Sequence, residues 1–396
     1  MSLPATEPTP PKRPEFPYLD GLRGLSAILV VLYHAYLFTG LSGESRSELP
    51  MLKEFLGWGY LGVPVFIVLS GYVLMLPVLS TPGLKFRHGV WSFIKRRGKR
   101  ILPPYYAALA FSLLLIALFP VLQEKGGTQW DSKIPVTWGS TISHFLLVHD
   151  FNHHWIGKIN GPLWSVAVEW HIYFLMPLLL LPLWRRIHPA IIVGALTAAS
   201  FWLLAERAFG FVHPWLVALF AAGMWAAQLT MRQQRVRAAG PVFVFLAAAT
   251  VGCAVFRSEI PLPTRGLMEL MTGLAVAAGL VWLGRRAVAG RIPRGARLLQ
   301  ARPMLFVGLI SYSVYLFHSP LLGLANLLLL PLDLSLGVHW AVMTFAVVPA
   351  VLALCWLFFL LVERHFLNTR QRHTVEAHGP AGLPETGAED VSGVRR

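Results

Sequence analysis

The sequence places ionisable side chains where apolar residues surround them. His34 follows Arg23 by eleven residues, in a stretch that is otherwise largely apolar. On an α-helix this spacing is three turns plus about 20°, so the two side chains would share one face, about 16 Å apart along the axis. Asp20 precedes Arg23 by one turn and could pair with it. An imidazole in this position suits acid–base chemistry, and a hydrogen-bonded packing histidine is the alternative.

Two more ionisable groups occur within apolar segments. Glu169 lies about six residues into the segment that starts at Leu163, and His318 lies within residues 311–320. A charged group at the centre of a bilayer costs a few kcal/mol, so each one needs a function or a partner. For Glu169 the alternative to a function is a structural ion pair. For His318 it is a structural cluster of Ser and Tyr hydroxyls that satisfies the backbone near Pro320.

Helix geometry places His34, Glu169 and His318 at a similar depth in a membrane. At 1.5 Å per residue, His34 comes about 18 Å from the cytoplasmic edge of an apolar core of about 30 Å. Glu169 and His318 both come to about 21 Å from the same edge. Three ionisable groups at one level, on three helices, predict a shared polar cavity.

A basic run precedes the third apolar segment. Residues 95–100 carry Arg97 and Arg100 one helical turn apart, directly before the apolar residues. Together with Arg23 at the same level, these side chains would form a cluster of guanidinium groups, which suits a polyphosphate. The alternative is that the run only sets the topology, since basic residues gather on the cytoplasmic side of membrane proteins.

Composition indicates which elements must hold these residues. Of the 396 residues, 55% are hydrophobic and 13% are charged, whereas soluble domains carry about 25% charged residues. Such a chain cannot cover itself with polar surface in water, which excludes soluble, disordered and fibrous proteins. We therefore predict an all-α polytopic membrane protein. Cys253 and Cys355, the only two cysteines, both lie in apolar runs, so we expect no disulfide framework and no metal site.

Ten apolar stretches have the length of a spanning helix, which needs about 20 residues. They are residues 22–41, 58–79, 101–122, 163–184, 189–205, 214–230, 240–256, 265–284, 304–330 and 338–362. Residues 141–149 are too short to span and are predicted to be re-entrant or interfacial. Residues 1–17 are predicted to form a Pro-rich cytoplasmic arm, 18–367 the transmembrane domain and 368–396 a disordered cytoplasmic tail.

The basic residues are distributed unevenly between the two sides of these spans. With a cytoplasmic N-terminus, 25 of the 34 Lys and Arg residues fall inside, eight fall outside, and Arg23 lies at the mouth of the first span. This bias follows the positive-inside rule. The net charge of +15 is therefore mostly a topology signal. Nucleic acid is not an expected partner, because the arginines are split among short loops without an aromatic-lined reader fold.

At these residues the sequence resembles the acyltransferase-3 family of integral membrane O-acyltransferases. The matching motifs are YLDGLRG with His34 eleven residues after Arg23, RILPPYY, LWSVAVEW and SYSVYLFHSP, in the family's order across residues 16–367. The resemblance implies transfer of an acyl group, usually acetyl, from an acyl-coenzyme A to a hydroxyl of a sugar, glycan or natural product. It also implies a multi-pass protein of a bacterial plasma membrane.

The resemblance further implies that His34 is the central catalytic residue, supported by Arg23, Arg97, Arg100 and Glu169. Coenzyme A phosphates would lie on the three guanidinium groups, with the pantetheine arm running toward His34. The imidazole would act as general base on the acceptor hydroxyl, and Glu169 would orient it. A covalent acyl-histidine is an open alternative. His318 is a further candidate catalytic residue.

The same residue types also fit other functions. A proton-coupled transporter would also use intramembrane His, Glu and Arg, but it would more often show repeat symmetry and paired broken helices. Within the enzyme interpretation, the first choice of acceptor is a cell-surface or exported glycan. The second is a macrolide-type or other glycosylated secondary metabolite. The oligomeric state is not predicted.

The charge distribution predicts the topology directly. In a variant that lacks Cys253 and Cys355, a cysteine within residues 42–57 should react with an impermeant thiol reagent in sealed right-side-out vesicles. A cysteine in place of Arg291, in the segment 285–303, should be protected until the membrane is opened. Labelling of position 291 in intact vesicles would contradict the topology.

Overall fold

The computed structural model describes residues 16–232, 236–256, 259–260 and 262–367, with only the backbone of Arg46 and Lys53. Within these residues the chain is helical and contains no β-strand, so the predicted all-α class is confirmed. The predicted tail, residues 368–396, and all but the last two residues of the predicted arm, 1–17, lie outside the described residues.

The described residues contain ten helices of at least 17 residues, numbered here along the chain. They are α1 (Pro17–Phe38), α2 (Gly62–Leu79), α3 (Gly89–Leu118), α4 (Leu163–Trp184), α5 (Pro189–Ala205), α6 (Trp215–Met231), α7 (Ala239–Val255), α8 (Thr264–Val288), α9 (Ser311–Leu329) and α10 (Leu336–Leu361). Shorter helices are Glu44–Glu48, Pro50–Leu56, Trp138–Phe145, Arg294–Arg297 and Arg302–Leu309. One π-helical turn occurs in α4, at Met176–Leu180, and another in α10, at Met343–Val347.

Eight of the ten helices are long and apolar enough to cross a membrane. For some of them, such as α6, this length includes the adjoining turn or short helix. The other two, α5 and α7, are apolar but shorter, with 17 residues each. The described part of the chain therefore has the architecture of a polytopic membrane protein. All ten predicted spans correspond to helices, although two of them are shorter than the usual spanning length.

The predicted and observed bounds agree for two helices and differ for two others. The helices α4 and α5 have the predicted bounds. In contrast, α3 begins at Gly89 rather than at residue 101, because the basic run 95–100 continues the helix; Lys and Arg are good helix formers although they are polar. The predicted span 304–330 is two helices, Arg302–Leu309 and α9, which are separated at Ile310.

Glycines allow two of the central helices to touch through their backbones. A Cβ atom on Gly71 of α2 would lie 2.1 Å from the carbonyl oxygen of Phe220, and one on Gly223 of α6 would lie 2.1 Å from that of Val68. Lipid is as apolar as the helix surfaces, so membrane helices associate through such close small-residue packing rather than through water exclusion. This contact places α2 firmly against α6.

A second close contact holds the start of α1. A Cβ atom on Gly24 would lie 2.4 Å from the carbonyl oxygen of Met304, and one on Gly308 would lie 2.0 Å from that of Asp20. The turn of α1 that carries Arg23 is thereby fixed against the short helix Arg302–Leu309, which leads into α9.

The helices define two ends of the bundle. We call the end that carries Arg23, Arg97 and Arg100 the basic end, and the opposite end the loop end. At the loop end, the backbone N–H of Gly40 donates to Asn326 Oδ1 at 2.9 Å, which joins the ends of α1 and α9. The loop end also carries residues 119–162 between α3 and α4.

The predicted re-entrant or interfacial segment, 141–149, overlaps the short helix Trp138–Phe145. Two tyrosine hydroxyls of α3 donate to its last carbonyls, Tyr105 to His144 O at 2.9 Å and Tyr106 to Phe145 O at 2.8 Å. This segment therefore packs along α3.

The close contact between α2 and α6 leads to a stability prediction. Gly71→Ala should lower the free energy of unfolding by about 1–3 kcal/mol, because the new methyl group meets a backbone carbonyl that can move only with its helix. The matched control is Gly252→Ala on α7, where a Cβ atom would meet nothing within 4 Å and alanine favours the helix. Thermal unfolding of both purified variants in the same detergent measures the difference, and equal midpoints would contradict it.

Candidate active site

A cavity of about 160 Å³ begins at the basic end of the bundle. At its mouth Arg23 and Asp20 form an ion pair of 3.3 Å, with side chains that are 25% and 40% exposed. The polar residues that line the cavity are Asp20, Arg23, Ser70, Arg97, Arg100, Ser165, Glu169, Tyr173, Ser311, Tyr312 and Tyr315. Four of the residues singled out in the sequence, Arg23, Arg97, Arg100 and Glu169, thus share one space.

The guanidinium groups in this cavity keep unused donors. Arg97 Nε and Arg100 Nη1 are buried and have no hydrogen-bond partner in the described structure. Buried polar groups in proteins are nearly always paired, and an unpaired donor that carries positive charge is costly. Two such donors face one cavity.

Arg100 is also held by an acidic residue that the motifs did not single out. Its Nη2 atom lies 2.5 Å from Oε1 of Glu363, which is fully buried just after α10. The second carboxylate oxygen of Glu363 accepts from the backbone N–H of Ser313, at 2.9 Å, and from the Ser313 hydroxyl. The guanidinium group also lies over the ring of Tyr312, 5.5 Å from its centroid. Arg100 is therefore fixed in position while one of its donors stays free.

Glu169 has hydrogen-bond partners other than the expected one. Its Oε1 atom accepts from the hydroxyl of Ser70 on α2 and, at 2.5 Å, from that of Tyr173 one turn further along α4. Glu169 was expected to orient His34, but the described residues contain no hydrogen bond between them. Instead α9, which packs against α1, supplies the side-chain partner of His34.

This partner is His318. Its Nε2 atom lies 3.2 Å from Nδ1 of His34. Each ring also bonds a backbone carbonyl one turn earlier on its own helix, His34 Nδ1 to Val30 O at 2.8 Å and His318 Nδ1 to Val314 O at 2.9 Å. Because a carbonyl oxygen only accepts, both Nδ1 atoms carry the proton in the neutral rings. The single Nδ1–H of His34 is then shared between Val30 O and His318 Nε2, and Nε2 of His34 retains a free lone pair.

The histidine pair is separate from the cavity. Neither His34 nor His318 is among the residues that line it, whereas Tyr315 lines it and has its ring 6.1 Å from that of His318. On the side toward the loop end, the ring of Tyr33 lies 5.1 Å from His34 and 6.0 Å from Tyr60. The structure thus divides the residues predicted to share one cavity into two groups, one on each side of Tyr315.

Several residues at this site had not been recognised from the sequence. Glu363 offered a signal, since it is a carboxylate that directly follows the last apolar run. Tyr173, one turn after Glu169, offered another. Ser70 offered none, because a lone serine in an apolar helix is common and usually bonds its own backbone. Among the described residues, no group of three or more His, Cys, Asp or Glu side chains is arranged to hold a metal ion.

Fold and site together define the class of protein. The described residues form a helical membrane bundle with guanidinium groups and a carboxylate in one cavity and a histidine pair beside it. The model of the acyltransferase domain of the acyltransferase-3 family matches residues 16–360, and the chain belongs to this family. The resemblance noted in the sequence is confirmed, and the protein is a membrane-bound O-acyltransferase.

Known relatives agree with this assignment. The chain is 28% identical over 369 residues to the "putative membrane-bound transacylase BcsY" of Komagataeibacter xylinus, covering 91% of this chain and 85% of the relative. It is 26% identical over 187 residues to the O-acetyltransferase OatA of Staphylococcus aureus, 46% of this chain but 28% of the relative. It is 28% identical over 171 residues to the "putative peptidoglycan O-acetyltransferase YrhL" of Bacillus subtilis, 41% of this chain and 23% of the relative. No solved structure matches the chain significantly.

Proposed function

We propose that the protein transfers an acyl group, in the first place acetyl, from an acyl-coenzyme A to a hydroxyl group of a carbohydrate. One observation carries this proposal: a cavity with unpaired guanidinium donors leads from the basic end toward a histidine whose Nε2 atom is free to accept a proton. We further propose that the protein resides in a bacterial plasma membrane, with the basic end on the cytoplasmic side where acyl-coenzyme A is available.

The guanidinium groups would bind the phosphates of the acyl donor. Arg97 and Arg100 each have a buried N–H donor without a partner among the described residues, and Arg23 also lines the cavity. Guanidinium groups bind phosphate oxygens through charge-assisted, often bidentate hydrogen bonds. The phosphates of coenzyme A would lie here, and the pantetheine arm would extend past Glu169 toward Tyr315.

The histidine pair would carry out the proton transfer of the reaction. His34 would take the proton of the acceptor hydroxyl on Nε2 as the oxygen attacks the thioester carbonyl carbon. His318, by accepting from Nδ1–H, would hold the ring in the tautomer that leaves Nε2 free, the positioning role that a carboxylate plays in serine hydrolases. The carbon–sulfur bond then breaks, and the departing thiolate takes up a proton.

A carbohydrate acceptor is supported by the relatives. One of them is named as a peptidoglycan O-acetyltransferase and another as an O-acetyltransferase. The donor cavity occupies the basic-end side of Tyr315, so the acceptor would reach His34 from the other side.

The central test is His34→Ala. Membranes that contain the wild-type chain should transfer radiolabelled acetyl groups from acetyl-coenzyme A to envelope carbohydrate, identified by mass spectrometry of glycans with and without the gene. His34→Ala and His34→Asn should both abolish transfer, because neither side chain can accept the proton. The control is His188→Ala, which removes a histidine that only caps α5 and should transfer normally. Substantial turnover by folded His34→Ala protein would contradict the catalytic assignment.

Donor binding has a separate test at Arg97. Arg97→Ala should weaken binding of a non-hydrolysable acetyl-coenzyme A analogue to the purified protein by about ten- to a hundredfold, because one charge-assisted contact is worth about 1.5–3 kcal/mol. The matched control is Arg96→Ala: Arg96 is adjacent in sequence but exposed, and it bonds Ser92 Oγ outside the cavity.

The outcome at Arg96 separates the two explanations of the basic run. A residue that only sets the topology would affect membrane insertion and not the affinity for the analogue. In that case the Arg96 and Arg97 variants should bind the analogue equally well. Equal affinities in the two correctly inserted variants would therefore remove the phosphate site from the proposal.

A further inference from the structure

Tyr315 is the residue that joins the cavity to the surroundings of the histidine pair. Its side chain lines the cavity, together with Ser165 and Phe66. Its ring lies 6.1 Å from that of His318 and 5.8 Å from that of Phe66. On the proposed route, a thioester that extends from the guanidinium groups toward His34 would pass the phenol of Tyr315.

Most other hydroxyls of the cavity are bonded to stronger acceptors. Ser70 and Tyr173 donate to the carboxylate of Glu169. The hydroxyl of Tyr312 donates to Ile101 O at 3.0 Å, and that of Ser311 donates to Gly308 O at 2.8 Å. These four protons are committed to the protein and are not available to a ligand without breaking those bonds.

The hydroxyl of Tyr315 differs, because its partner is another hydroxyl. Tyr315 and Ser165 approach to 2.6 Å, and either oxygen can be the donor. Ser165 also lies 3.3 Å from Pro162 O, a longer contact that it can give up. When Ser165 donates to Tyr315, the phenolic proton becomes available to a third group in the cavity.

We propose that Tyr315 donates a hydrogen bond to the thioester carbonyl oxygen and stabilises the negative charge that develops there. Tyr315 is then a catalytic residue, and Ser165 is the residue that positions its hydroxyl. The inference rests on the proposed function, which supplies the thioester. A preorganised donor aimed at a developing oxyanion, in a site that excludes water, is a major source of rate enhancement in acyl transfer.

Each atom has a defined place in the step. The acceptor oxygen forms a bond to the thioester carbon and gives its proton to Nε2 of His34, while the carbonyl π electrons move onto the carbonyl oxygen. Tyr315 keeps its proton and donates the hydrogen bond to that oxygen, and Ser165 donates to Tyr315. The carbonyl then re-forms, the carbon–sulfur bond breaks, and the thiolate receives the proton that His34 holds.

The test uses Tyr315→Phe, which keeps the ring and its contacts and removes only the hydroxyl. Acetyl transfer by the full-length purified chain should fall about a hundredfold in kcat, the effect of losing one oxyanion donor. Binding of the non-hydrolysable acetyl-coenzyme A analogue should change by less than about threefold, since the ground-state carbonyl gains little from this contact. Ser165→Ala should lower kcat by about tenfold through a mispositioned phenol.

The double variant and a matched tyrosine distinguish catalysis from structure. Tyr315→Phe combined with Ser165→Ala should be no slower than Tyr315→Phe alone, because Ser165 acts through Tyr315. Tyr105→Phe is the control: this buried tyrosine also donates a single hydrogen bond, to a carbonyl outside the cavity, and its kcat should stay within about twofold of wild type.

The outcomes also separate this inference from the proposed function. Normal kcat in Tyr315→Phe, with His34→Ala inactive, would overturn the role of Tyr315 and leave the acyltransfer chemistry intact. Additive losses in the double variant, or a loss in analogue binding as large as that in kcat, would likewise overturn it. Absence of acetyl-coenzyme A-dependent transfer in the wild-type chain would instead refute the proposed function.

Discussion

The carboxylate of Glu363 is fully buried among apolar helices, and the largely buried guanidinium group of Arg100 makes that position tolerable. Removing one partner of such a pair leaves an uncompensated charge, which costs about 3–5 kcal/mol. Because Glu363 also accepts from the backbone and hydroxyl of Ser313, the pair ties the basic ends of α3, α9 and α10 together. The cavity walls therefore depend on it, and so does the direction in which the free donor of Arg100 points.

The same physical constraint explains how the site is divided. Polar groups within a bilayer must find partners among themselves, and several of the described residues do so in separate sets. Glu169 is bonded to Ser70 and Tyr173, whereas His34 and His318 bond each other and their own backbone carbonyls. The guanidinium groups and the histidine pair are thus kept apart. A base beside several guanidinium groups would be discouraged from taking up a proton.

Much of the helical framework could be predicted from the sequence. Apolar runs of spanning length are a strong signal because lipid leaves the backbone no hydrogen-bond partner outside its own helix. For this reason α4 and α5 have the predicted bounds. The start of α3 and the break at Ile310 could not be found in this way, since hydropathy measures which residues lie in lipid and not where a helix begins or bends.

The sequence allowed the position of each site residue along its helix to be predicted, but not the hydrogen-bond partners of these residues. By itself the sequence determined that His34, Glu169 and His318 lie deep in apolar helices, and that Arg23, Arg97 and Arg100 lie near one membrane edge, because residue rise and span length set these positions. Only the tertiary structure decided that His34 meets His318, that Glu169 meets Ser70, and that Glu363 holds Arg100. All the helices are apolar toward lipid, so burial does not select neighbours. Close glycine contacts and a few hydrogen bonds select them, and these appear only when the helices are packed.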